Sequence, residues 1–165
     1  MNTKPKSHAI AFIGGGNMAR SLIGGLIRNG TPPKTISVSE PNAELRAALA
    51  RDFSVAVHAD NADAARAADI AVLAVKPQVM KTVCAGLRDV AQARKPLIVS
   101  IAAGIRIGQI DAWLGGNLAI VRCMPNTPAL IGAGATGACA NARVNAARRA
   151  LAQDILAAAG LVAWL

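Results

Sequence analysis

The sequence predicts an α/β protein, with a doubly wound, mostly parallel sheet and helices on both faces. Three observations predict it. Short apolar runs alternate with longer segments of helical character along the chain, the pattern of strands joined by right-handed crossover helices. The run at 69–75 is continuously apolar after its first residue, as suits a strand buried on both faces of a parallel sheet. The first run ends in a G-x-G-x-x-A turn, with Gly14, Gly16 and Ala19 in the small positions and a helical segment immediately after.

Taken in order, residues 8–13 read as the first strand and 17–29 as a helix with Met18, Leu22 and Leu26 on its apolar face. Gly30 stops that helix and Pro32-Pro33 mark a loop. Residues 35–39 form the second strand, and Asn42 caps a helix to about residue 51. A short strand at 54–57 precedes a short helix that Asn61 caps, through 68. After the strand at 69–75, Pro77 opens a helix to about 90. Then come a strand at 96–101, a short helix at 107–114, and strands at 118–123 and 133–140. A helix over 145–159 is stopped by Gly160, and 161–165 begins another strand.

The totals bound the function. At 165 residues and 53% hydrophobic, the chain makes one domain with a real core. No apolar run approaches the roughly 20 residues that span a bilayer. The short polar start leads into a glycine turn rather than a cleavage site, so no signal peptide is read. Cys84, Cys123 and Cys139 are widely spaced and odd in number, which suits buried free thiols of a cytoplasmic protein and neither a disulfide frame nor a zinc site. The net charge of +9 comes from scattered residues, with 2% aromatics and no Tyr, so nucleic-acid binding is disfavoured and attraction of a polyanionic cofactor is the plainer reading. The chain stops on an apolar Gly-Leu-Val-Ala-Trp-Leu, and no second element follows to hold a substrate. The expectation is a cofactor domain of a longer protein, with exposed apolar surface near Trp164 and the last helix promoting self-association.

The glycine turn carries the chemistry. Its first Gly permits the tight turn, its second lets backbone approach a pyrophosphate, and Ala19 lets the helix pack on the strand. The helix start then points unpaired N–H groups at the anion. Glu40 ends the second strand, where an acidic side chain either binds the adenosine ribose hydroxyls of NAD and repels a 2′-phosphate or is a surface acid in the turn before Pro41; Arg46 is one candidate for the opposite preference, so NADH and NADPH both stay open. Lys76 follows the fourth strand on the same sheet edge, where it either meets a phosphate or faces solvent. Small residues at 102–104 permit close approach after the fifth strand, and the stiff Met124-Pro125-Asn126-Thr127-Pro128 loop presents an amide and a hydroxyl after the sixth. His8 and His58 have no partner at metal or triad spacing and read as structural; no metal cluster or paired catalytic carboxylates appear.

Four segments together resemble pyrroline-5-carboxylate reductase: 12–18 (Phe-Ile-Gly-Gly-Gly-Asn-Met), 74–77 (Ala-Val-Lys-Pro), 99–104 (Val-Ser-Ile-Ala-Ala-Gly) and 122–129 (Arg-Cys-Met-Pro-Asn-Thr-Pro-Ala), trailed by Gly132-x-Gly134-Ala135-Thr136. The resemblance covers about 8–165. It implies a Rossmann domain that binds NADPH or NADH, and reduction of the cyclic imine 1-pyrroline-5-carboxylate to L-proline, the last step of proline biosynthesis. It also implies a homo-oligomer built through a C-terminal helical domain, which completes the substrate site and is absent from 1–165. The family's Ser-Gly-Ser-Gly-Pro-Ala-Tyr segment is absent too.

By the same resemblance the backbone at Gly16, Asn17 and Met18 meets the pyrophosphate. Ser39, Glu40 and Asn61 fall at the adenosine end. Ala74, Val75, Lys76 and Pro77 lie beside the nicotinamide, Ala102, Ala103 and Gly104 form another wall, and Asn126 and Thr127 face the substrate. No residue stands out as the catalytic acid. The competing readings are a related reductase with another substrate and a non-catalytic dinucleotide sensor, against which the loop at 124–128 speaks.

Overall fold

The computed structural model describes residues 7–126 and 132–165. Its eight strands form one sheet in the order β3-β2-β1-β4-β5-β6-β7-β8. They are β1 Ile10–Ile13, β2 Ile36–Ser39, β3 Ala56–His58, β4 Ile70–Leu73, β5 Leu97–Ser100, β6 Ile120–Met124, β7 Gly134–Ala140 and β8 Gly160–Trp164. The first six run parallel, β7 is antiparallel to β6, and β8 is parallel to β7. The direction of winding reverses between β1 and β4, and open α/β sheets bind ligands at that switch point, outside the carboxyl ends of the strands.

Helices α1 Asn17–Arg28, α2 Ala43–Phe53 and α6 Ala146–Ala157 cover one face, where Phe12, Leu22, Ile23, Leu49 and Ile155 meet. Helices α3 Asn61–Ala65, α4 Met80–Arg94 and α5 Ile107–Trp113 cover the other with Ile13, Leu73, Met80 and Ile110. β1 and β4 are buried along their whole length, as a strand between two helical layers must be.

Local chemistry sets most boundaries. The Asn42 side chain accepts from the Leu45 N–H at 3.0 Å and starts α2 where the sequence predicts. The α3 cap differs: Asp60 accepts from the Asp63 N–H at 3.0 Å, and Asn61 is the first helical residue. Both residue types cap well, and Asp60 is the one in extended backbone. α3 ends at Ala65 rather than 68, in a turn closed by the Ala68 N–H on the Ala65 carbonyl. Pro77 opens a 3-10 turn, Pro77–Val79, before α4 proper. α4 then runs past 90 to Arg94, and Lys95 ends it in the left-handed region at φ 51° ahead of Pro96.

The structure exposes apolar side chains near Trp164, on either side of it in the chain. Trp164 is half-buried: its indole N–H donates to Gln153 at 2.7 Å, and the Arg149 guanidinium lies 4.4 Å from its ring centre. The exposed apolar groups are Leu161 and Leu165, at 80% and 94%, on or beside the edge strand β8. Cys84 and Cys123 are buried free thiols, whereas Cys139 is half-buried. No helix among the described residues is long and apolar enough to cross a membrane.

Candidate cofactor site

The register aligns the carboxyl ends of β2, β1, β4, β5 and β6, pairing Ser39 with Ile13, Ile13 with Leu73, Leu73 with Ser100 and Ser100 with Arg122. Each segment singled out in the sequence leaves the sheet at this one edge.

At its centre is the glycine turn. Gly14 has φ 102°, and a Cβ there would lie 2.5 Å from the Ala74 carbonyl oxygen, so glycine is required on both counts. Gly16 differs: a Cβ there would meet nothing of the protein within 4 Å. Its smallness serves no packing within the described residues. It is the N-cap of α1 and supplies no side-chain cap. The first-turn N–H groups at Asn17, Met18 and Ala19 therefore face outward from an exposed glycine, the cradle a pyrophosphate needs. Ala19, 1% exposed, seats α1 on the sheet. Sequence reasoning missed Gly15, which is buried where a Cβ would come 2.6 Å from a Leu49 methyl. It is the close contact between turn and α2, and three consecutive glycines were the available signal.

Beside the turn lies a polar cluster. Ser39 is fully buried and its hydroxyl donates to the Asn61 side-chain oxygen at 2.7 Å, which joins the end of β2 to the start of α3. Glu40 accepts from the Asn42 N–H at 2.9 Å. Arg46 donates through one nitrogen to the carbonyls of Glu40 and Pro41, at 2.8 and 2.9 Å. His58 pairs with Ser39 in the sheet, and its carbonyl accepts the Glu40 N–H.

On the other side of the turn, Ala74 and Val75 are half-buried, while Lys76 and Pro77 are exposed. The Lys76 side chain makes no hydrogen bond or ion pair with a described residue, while its carbonyl accepts the Val79 N–H at 3.1 Å. Ala102 is buried, whereas Ala103 and Gly104 are exposed, with Gly104 at φ 75°. Below them the backbone is tied: the Ser100 hydroxyl accepts from the Ala102 N–H at 3.3 Å, and the Cys123 thiol donates to the Ser100 carbonyl at 3.2 Å. Burial pushes the Cys123 thiol up to about 12, helped by repulsion from Cys139, and the Cys84 thiol up to about 11. Neither thiol is a nucleophile at neutral pH. The Asn126 side-chain oxygen accepts from the Ala135 N–H at 3.0 Å, which ties the end of β6 to β7. Thr127 lies outside the described residues. Among the described residues no group of three metal-ligating side chains comes together.

A sheet wound on both faces, with a glycine turn at its switch point feeding an uncapped helix, defines the class: a dinucleotide-binding domain of the Rossmann type. Comparison with known proteins makes this particular. The family model for NADP oxidoreductase, coenzyme F420-dependent, matches residues 9–104, and the chain belongs to that family. Pyrroline-5-carboxylate reductase of Pseudomonas aeruginosa is 54% identical over 158 residues, 94% of this chain and 57% of that protein. The structure of a pyrroline-5-carboxylate reductase from Coxiella burnetii superposes with a TM-score of 0.94 at 42% identity, over 97% of this chain and 59% of that one. The Plasmodium falciparum pyrroline carboxylate reductase, solved with NADP bound, gives a TM-score of 0.83 at 26% identity, over 96% of this chain and 57% of that one. The chain thus spans somewhat over half the length of the relatives it matches.

Proposed function

We propose that this chain is the cofactor-binding half of a pyrroline-5-carboxylate reductase, which reduces a cyclic C=N bond to give L-proline. The observation that carries the reading is the convergence of the glycine turn, 74–77, 102–104 and the start of the 124–128 loop on one sheet edge. The identity to the P. aeruginosa reductase spans all four segments. The reduced dinucleotide, when bound, supplies a hydride to the imine carbon.

The chain's own share is positioning. The N–H groups of Asn17 to Ala19 fix the pyrophosphate, and Asn61 and Glu40 hold the adenosine ribose. Residues 74–77 and Ala102 to Gly104 would flank the nicotinamide, with Asn126 toward the substrate; Thr127, assigned to the same side by the resemblance, lies outside the described residues. Backbone and small side chains suit this role because an imine protonated at nitrogen is already a strong hydride acceptor. It needs orientation and exclusion of water more than a nucleophile. The three cysteines, all free among the described residues, suit the reducing cytoplasm, and a homo-oligomer belongs to the same reading.

The test is pyrroline-5-carboxylate-dependent oxidation of NADH and NADPH. It is followed by absorbance for this chain alone and for the chain fused to the C-terminal remainder of the P. aeruginosa relative. Turnover in the fusion is expected. A folded fusion that binds cofactor but never oxidises it with this imine overturns the substrate assignment.

A further inference from the structure

The sheet is covered on both faces only as far as β6. Residues paired across a ladder share a face, so the pairs joining β6, β7 and β8 sort their side chains into two rows. One row is buried: Ala138 packs in one cluster with Ile155 and Leu156 of α6, and Thr136 is 2% exposed. The other row carries Ala135, Gly137 and Cys139 of β7 beside Leu161 and Ala163 of β8. Ala135, Leu161 and Ala163 are exposed, and Gly137 and Cys139 are half-buried. No residue of β7 or β8 joins the core beneath α4 and α5. Leu165 adds to the open row, since its methyl group lies 3.8 Å from where a Cβ on Gly137 would stand. A sheet face left to water is normally polar, and this row is apolar throughout.

One charge borders the row. Arg122 of β6 pairs with Cys139 in register and so points to the same face. It is half-buried and makes no hydrogen bond or ion pair with a described residue. Covering a guanidinium without giving it an acceptor is costly, so the group that covers this face must bring one. This chain does not supply it: from residue 112 onward Asp154 is the one acid, and it lies on α6, behind the sheet. A second copy laid face to face would bury two unpaired arginines, against a net charge of +9 on each chain.

The floor of the row suits a helix. Small side chains at 135, 137 and 163 admit a close approach, with Leu161 and Leu165 at the two ends. From Leu161 to Leu165 the strand spans about 13 Å, the length of about nine residues of helix. The Leu165 N–H donates to the Ala138 carbonyl at 2.8 Å, one step past the Ala138–Trp164 pair, which sets Leu165 level with Cys139 and Arg122. Two strand spacings, about 10 Å, separate it from Arg122. The P. aeruginosa reductase matches this chain over 57% of its own length, so a large remainder of that protein has no counterpart in these 165 residues.

We propose that the open face of β7 and β8 is the docking surface for a helix of that remainder, apolar toward Ala135, Gly137 and Ala163 and carrying a carboxylate that pairs with Arg122. The choice of occupant rests on reading this chain as the cofactor-binding part of a longer reductase. Arg122 is also the register partner of Ser100, so the docked carboxylate stands one strand from the segment that leaves for 102–104.

Cys139 reports on the face, because it is half-buried while Cys84 and Cys123 are buried. Its alkylation by N-ethylmaleimide is timed under native conditions and mapped by peptide mass. The two proteins compared are the 165-residue chain and its fusion to the C-terminal remainder of the P. aeruginosa relative, with mass in solution followed over the same concentrations. Cys139 should react in the chain alone at every concentration, and at least about tenfold more slowly in the fusion. Leu161→Asp should restore the rate in the fusion and leave the unfolding midpoint of the chain alone unchanged. Arg122→Met should lower the midpoint of the fusion and not that of the chain alone, and Arg122→Lys should recover part of the loss. Equal rates in the two proteins overturn the docking, and turnover of the imine by that same fusion leaves the proposed function standing. A fusion whose two parts unfold independently overturns it too. A rate that falls with concentration in the chain alone, along with a doubled mass, gives the face to a second copy and overturns the assignment. So does a lowered midpoint of the chain alone in Leu161→Asp or Arg122→Met, an arm that needs no fusion, because the face would then already be in use.

Discussion

The two ends of the sheet edge are furnished differently. At the adenosine end the polar side chains hold one another: Ser39 donates to Asn61, Glu40 accepts from the Asn42 backbone, and Arg46 closes the turn on two carbonyls. At the nicotinamide end Lys76, Ala103 and Gly104 are exposed, and the tying bonds lie below them, from the Ala102 N–H to Ser100 and from Cys123 to the Ser100 carbonyl. One end is thus held by exposed and part-buried polar side chains, and the other by two buried ones beneath exposed small residues. On the proposed reading the paired polar side chains serve the nucleotide, and the other end offers exposed Lys76, Ala103 and Gly104.

The largest expected effect falls at the boundary between the two ends. Gly14→Ala places a Cβ against the Ala74 carbonyl and holds a non-glycine residue at φ 102°. The backbone strain alone is about 1–3 kcal/mol, and the overlap pushes β4's exit away from the turn. Urea unfolding should show a loss of at least that size, and dinucleotide binding should vanish. Gly16→Ala is the control, since its Cβ meets no protein atom within 4 Å. Its stability should stay within about 0.5 kcal/mol while affinity for the pyrophosphate falls. If both variants lose stability equally, Gly16 is a packing residue and the cradle reading fails.

What the sequence disclosed follows the range of the interactions. The glycine turn, the Asn42 cap and the stop at Gly30 depend on neighbours a few residues away, and each stands where local chemistry puts it. The pairing of β7 antiparallel to β6 was hidden, because a strand's apolar pattern does not name its neighbour. The link from Ser39 to Asn61 spans 22 residues and two elements, so Asn61 read as a helix cap when its amide is turned to β2. The cover over Trp164, Arg149 and Gln153 from the face of α6, was hidden for the same reason. Within the site, the sequence marked which segments converge, whereas which polar atoms are already committed emerged from the fold.

The intermediate effect tests whether the adenosine end is prebuilt. Ser39→Ala removes a buried donor and leaves the Asn61 oxygen without its partner, a loss of about 1–2 kcal/mol. Dinucleotide affinity should fall along with stability, because Asn61 loses its fixed orientation. 5′-AMP, which carries the adenosine ribose alone, should be weakened about as much as the whole cofactor. A free nicotinamide mononucleotide probe should be unaffected. Equal weakening of both fragments would mean that Ser39 acts on the sheet as a whole and the two ends are not separable.

The smallest effect on stability, and the sharpest on the open end, is expected at Lys76. Its side chain is exposed with no partner among the described residues, and its carbonyl accepts the Val79 N–H at 3.1 Å to close the Pro77–Val79 turn. Lys76→Met keeps that carbonyl and most of the aliphatic stem while removing the charge. The unfolding midpoint should hold, within about 0.5 kcal/mol. Binding separates the two roles the ammonium can have. If it meets a cofactor phosphate, NADH affinity falls several-fold in the variant and becomes less sensitive to salt, because an exposed attraction is screened over about 10 Å at 0.1 M ionic strength. The adenosine fragment, which does not reach this side of the turn, should bind as before. If affinity and its salt dependence are both unchanged, the lysine has no part in holding cofactor. The nicotinamide end then meets the cofactor without a charged side chain, unlike the adenosine end with Glu40 and Arg46.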